Sequence, residues 1–152
     1  MTVKRLLSCN ASDLLEFSAA ELKASIKASE GRTILSENVV VHEPLVPDIT
    51  DSEVAKAAGA DLLLLHQFDV LNPIVLGLYP GETTLKTALV HRDAITRLRR
   101  LTGRPIGTNL EPLPDHLALM TEKEAIIPGR IASQETFEAA DRLGLAFILL
   151  TG

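Results

Sequence analysis

One pattern occurs twice in this chain. Residues 53–66 read EVAKAAGADLLLLH and residues 138–151 read EAADRLGLAFILLT, with Gly59 and Gly144 in register. Each is an alanine-rich helical piece, a glycine that stops it, and then four consecutive apolar residues. A run that is apolar at every position suits a strand covered on both faces, as in a parallel sheet flanked by helices. A helix returning to such a strand through a glycine is the repeating joint of βα architecture.

A second pair of stretches shares another pattern. Residues 31–39 (GRTILSENV) and 103–112 (GRPIGTNLEP) both begin Gly-Arg-x-Ile, and Glu37 stands where Asn109 stands. Strands are therefore expected over about Thr33–Val41, Asp61–Asp69, Pro105–Leu110 and Ala146–Thr151. The helices between them are marked by their starts. Ser18 with Glu21, and Thr50 with Glu53, spell capping boxes, and Ser133 caps the stretch 134–143. A further helix is expected over Lys86–Leu101, with Leu89, Ile95, Leu98 and Leu101 buried. Its arginines (Arg92, Arg97, Arg99, Arg100) and the following Arg104 are read as a solvated basic face. Residues 1–30 form a helical lead-in that includes an amphipathic piece at Ala11–Phe17. The Pro- and Gly-rich residues 70–85 form a long loop, in which Tyr79-Pro80-Gly81-Glu82 reads as a turn.

Strands alternating with helices require parallel pairing through right-handed crossovers. The expected fold class is α/β, with parallel βα repeats forming the N-terminal half of a (β/α)8 TIM-type barrel. A doubly wound sheet stays open as the alternative. A whole barrel takes ~250 residues; residues 1–152 are read as a single partial-barrel domain, a truncated or shortened product. Its two sheet edges would be covered by a second copy or by the remainder of the barrel.

Composition excludes several classes. A net charge of −5 and a pI near 5.3 argue against a nucleic-acid-binding surface, and with 3% aromatics there is little to stack bases on. No apolar run approaches the ~20 residues of a membrane span. The lone Cys9 precludes an internal disulfide and fits a cytoplasmic location.

Side chains alternate along a strand, and barrel enzymes work at the carboxyl ends of their strands. Matching the strands by their starts puts Glu37, Gln67, Asp69, Asn109 and Glu111 on one barrel-facing side. Glu37, Asn109 and Glu111 are the candidate catalytic groups. His42, His66 and Gln67 are candidate substrate-binding groups, His66 alternating to the face opposite Gln67. Asp69 and Glu111 are candidate ligands for a hard divalent cation such as Mg2+. The same groups suit acid–base work on a polyol or carboxylate. His91 and His116 show no partner in the sequence.

The stretches SEGRTILSENVVVHEPLV, GADLLLLHQFDV, LTGRPIGTNLEP and FILLTG together resemble a group of uncharacterised bacterial barrel proteins labelled phosphoenolpyruvate phosphonomutase-like, sometimes haloacid dehalogenase-like. The resemblance runs from Leu6 onward. It implies a Mg2+-using lyase or isomerase that makes or breaks C–C or C–P bonds in 2-oxo or phosphonate acids. The hallmark catalytic loop of those enzymes is not found in this sequence. The expected function is thus a barrel enzyme, or half of one, acting with Mg2+ on a small anionic 2-oxo acid or phosphorylated metabolite. The alternatives are a non-catalytic barrel fragment and a sugar-phosphate aldolase or epimerase. No strand end carries the lysine of a Schiff-base aldolase.

Overall fold

The structure, a computed structural model, describes residues 3–113 and 126–151. The elements run α1 (Ala11–Glu16), α2 (Ala19–Ala28), β1 (Leu35–Val39), α3 (Asp51–Ala57), β2 (Leu62–His66), α4 (Ala94–Thr102), β3 (Ile106–Leu110), α5 (Gln134–Leu143) and β4 (Phe147–Leu150). The four strands pair in parallel in the order β1-β2-β3-β4. A doubly wound sheet reverses its strand order at a switch point. This order never reverses, so the architecture is that of half a βα barrel.

Local sequence sets most element ends. The Ser18 and Thr50 side chains accept from the amides of Glu21 and Glu53, and both glutamates reach back to the cap amide. Ser133 accepts from Thr136 in the same way. α4 and α5 end at Gly103 and Gly144, which adopt left-handed φ values of 62° and 82° that place the closing amide on the last-turn carbonyls.

The registers sort the side chains into two faces. Leu35, Glu37 and Val39 lie beside Leu62, Leu64 and His66, and Leu64 lies beside Gly107. Gly107 and Asn109 lie beside Phe147 and Leu149. This is the inner face. On the outer face Leu63, Leu65, Ile106 and Leu110 are buried against Ile95 and Leu98 of α4 and against Ala139, Ala140 and Leu143 of α5. Burying a leucine or isoleucine contributes about 1.5–3 kcal/mol before the entropy of ordering the chain is charged against it.

The lead-in plugs the amino ends of the inner face. Leu6, Leu14 and Leu22 form a second core with Leu62, and Phe17, Ile26, Ala146 and Phe147 pack against it. Gly107 makes room for this, because a Cβ there would enter the Phe147 ring. Arg99 ties the plug to the helices: it donates to Leu15 O at 2.6 Å and to Gly144 O at 3.2 Å. Arg104 donates to Ala60 O at 3.1 Å. The basic face read as solvated is therefore partly structural, with two of its arginines holding backbone carbonyls.

The helix expected from Lys86 starts only at Ala94. The backbone before it is captured by other groups. Leu89 N donates to the Glu82 carboxylate, His91 N to Pro73 O, and Thr84 N to the Thr87 hydroxyl. Ile95 and Leu98 are fully buried as expected, but Leu89 is 62% exposed and Leu101 48%.

Candidate functional site

At the carboxyl end of the inner face, Glu37 and His66 come together. His66 Nδ1 lies 2.9 Å from Glu37 Oε1, although the approach is off-axis for a hydrogen bond. Both side chains remain partly open to solvent, at 32% for His66 and 51% for Glu37. Asn109 shares their face and is 96% buried by its 4% exposure. Its Nδ2 donates to Thr151 Oγ1 at 3.3 Å, and its Oδ1 has no partner among the described residues.

The convergence of five polar residues on one face does not hold. Glu37 lies beside Leu64, so Leu63 and Leu65, and with them the phase of Gln67 and Asp69, belong to the other face. His66, expected on the opposite side, is the β2 residue that meets Glu37. Gln67 then turns the chain with a φ of 59°, which ends simple alternation.

Gln67 and Asp69 instead line a pocket of about 320 Å3 with Asn72 and Arg130. Asp69 Oδ1 accepts from the amides of Leu71 and Asn72 at 2.8 and 3.0 Å, and its Oδ2 accepts from Asn72 Nδ2. Gly129 backs directly onto this carboxylate, where a Cβ would collide with it. Glu111, at the end of β3, binds Arg130 Nη2 through Oε1 at 2.7 Å. Arg130 therefore joins the end of β3 to the pocket. His42 is exposed beyond β1 and shares a separate, open cleft with Glu37 and Asp51. His116 lies outside the described residues.

His91, which showed no partner in the sequence, has two. Its Nε2 meets Glu82 Oε1 at 2.8 Å, and its ring stacks on Tyr79 at 3.7 Å. The Tyr79 hydroxyl donates to Asp93 at 2.7 Å, and Arg97 lies 4.7 Å from the centre of the Tyr79 ring. Burial, then the Asp93 carboxylate, pushes the Tyr79 phenol up to about 12. The Tyr79 hydroxyl holds Asp93 below the ordinary carboxylate range. For Glu82, burial pushes upward, but the Leu89 amide and His91 outweigh it and the net shift is downward.

Residues 7–152 match a family model described as Domain of unknown function (DUF7916). The chain belongs to the DUF7916 family. A search of curated proteins returns no match.

In this DUF7916 chain the expected Mg2+ ligands Asp69 and Glu111 have other partners. Among the described residues no three His, Cys, Asp or Glu side chains gather where they could hold a metal ion. Asp69 spends its oxygens on Asn72 and Leu71, and Glu111 is neutralised by Arg130. No helix among the described residues is long and apolar enough to cross a membrane. The DUF7916 residues that sequence reasoning misses are Arg130, Asn72 and the partners of His91. Arg130 stands 19 residues from Glu111, and no local spacing signals the pair. Tyr79 and Glu82 do carry a signal, since both belong to the one turn, Tyr79-Pro80-Gly81-Glu82, legible in the loop.

Proposed function

We propose that this chain supplies part of a barrel enzyme that acts on a small anionic 2-oxo acid or related metabolite at the carboxyl ends of its strands. His66 transfers the proton and Glu37 orients it. The carrying observation is the 2.9 Å approach of His66 Nδ1 to Glu37 on the inner face. A carboxylate at Nδ1 fixes the ring and leaves Nε2 as the nitrogen that faces a reactant. Contacts of this kind commonly tighten only when the reactant is bound. Asn109, on the same face, keeps a buried Oδ1 with no partner among the described residues. The resemblance to phosphonomutase-like proteins supports the same substrate class.

The chemistry that fits is removal of a proton from the carbon beside a ketone. The C–H pair is left on the enolate, the proton goes to His66 Nε2, and it returns to the same carbon. The test is exchange of the C3 protons of pyruvate and longer 2-oxo acids in D2O, followed by proton NMR. Exchange well above the buffer rate, lost in His66→Gln and reduced about 10²-fold or more in Glu37→Gln, is the expected result. No exchange above buffer for any 2-oxo acid tried would overturn the reading.

A further inference from the structure

The pocket of Gln67, Asp69, Asn72 and Arg130 has a second wall. Val41, Ile74, Leu85 and Ile127 complete its lining. Its volume of about 320 Å3 is at the low end for small-molecule sites. The polar side sets the Arg130 guanidinium and the Gln67 amide beside the Asp69 carboxylate and the Asn72 amide, whose Nδ2 goes to Asp69. Glu111 takes one N–H of Arg130, and a guanidinium carries five. The Gln67 amide adds its own donors. Asp69, the acidic member, faces its own turn, where three N–H groups spread its charge.

We infer that this pocket binds a small carboxylate bearing a branched aliphatic arm. The carboxylate meets the N–H groups of Arg130 that have no partner among the described residues, and the Gln67 amide. The arm lies against Val41, Ile74, Leu85 and Ile127. A planar guanidinium suits a carboxylate in paired hydrogen bonds, and the apolar wall gives an extended hydrated dianion nothing to bond. Inorganic phosphate and phosphorylated metabolites are thus poor ligands. The ligand class rests on the pocket alone, whose lining includes neither His66 nor Glu37.

The pocket is tested by binding, without any turnover. Isovalerate, acetate and inorganic phosphate are titrated into the full chain, followed by calorimetry and by methyl shifts of Val41, Ile74 and Leu85. Isovalerate should bind roughly ten-fold or more tighter than acetate, since each buried methylene is worth about four-fold. Leu85→Asn and Ile127→Asn alter side chains already 60% and 43% exposed, so folding is spared. They should erase the preference for isovalerate while leaving acetate binding unchanged. Arg130→Gln should weaken both acids, and Arg130→Lys should restore part of the loss. The inference is overturned if phosphate binds as well as isovalerate, if no acid saturates, or if the preference survives both asparagine variants. His66→Gln should leave isovalerate binding intact, and a lack of exchange in the unaltered chain that still binds isovalerate would count against the proton-transfer reading alone.

Discussion

The ring of His91 stacks on that of Tyr79 with centroids 3.7 Å apart and planes 19° from parallel. Each ring also holds a carboxylate, Glu82 for His91 and Asp93 for Tyr79. The loop between β2 and α4 is thereby pinned at residues 79, 82, 91 and 93, and the same loop supplies Asn72, Ile74 and Leu85 to the pocket.

Tyr79 is the only tyrosine and the chain has no tryptophan, so tyrosinate absorbance reads this one group. Its folded pKa of about 12 stands above the ordinary value of 10. A raised pKa means that the group's contribution to stability is complete below pH 10 and is lost as pH climbs from 10 toward 12. The absorbance titration should therefore be centred near 12 when folded and near the ordinary value in urea. Asp93→Asn should bring the folded midpoint down.

On the acid side the sign reverses. Glu82 and Asp93 both sit below their ordinary values. Their contribution is complete above the ordinary carboxylate range and disappears as pH falls through it. Urea midpoints measured across that range should fall less steeply in a Glu82→Gln, Asp93→Asn double variant than in the unaltered chain.

At Gly107 and Gly129 a side chain would collide with a neighbouring side chain. Gly107→Ala drives a methyl into the Phe147 ring, and Gly129→Ala drives one into the Asp69 carboxylate. Overpacking of this kind costs about 1–3 kcal/mol. The first should lower the urea midpoint. The second should in addition weaken isovalerate binding, because it moves the chain segment that carries Arg130.

The Thr50 cap is fully buried, and its box with Glu53 is complete. Thr50→Ala should cost about 1–2 kcal/mol in urea unfolding, against about 1 kcal/mol or less for Ser18→Ala at the exposed start of α2. Equal losses at the two caps would show that burial adds nothing at Thr50.

The elements were legible wherever a local contact decides them. Ser18, Thr50 and Ser133 bond to residues three positions away, and Gly103 and Gly144 answer to backbone angle alone. The start of α4 was not legible, because the amide of Leu89 goes to a carboxylate seven residues back in the folded loop. The face of β2 was not legible either. Leu62 to Leu65 are apolar throughout, so the strand carries no alternation from which to read its phase. Only the register against Glu37 reveals that His66, and not Gln67, is its neighbour. Asn109 and Glu111 lie at the end of β3 and Glu37 in the middle of β1, but their partners come from contacts between distant parts of the chain.

Arg99 holds the carbonyl of Leu15 across 84 residues of sequence, and with its other nitrogen the carbonyl of Gly144. During synthesis α1 and α2 therefore leave the ribosome well before the residue that fastens them. Chains arrested before residue 99 should be cut readily by protease between α1 and α2, and chains that extend past Gly144 should resist. The lead-in waits, in effect, for a clasp carried 84 residues further along the chain.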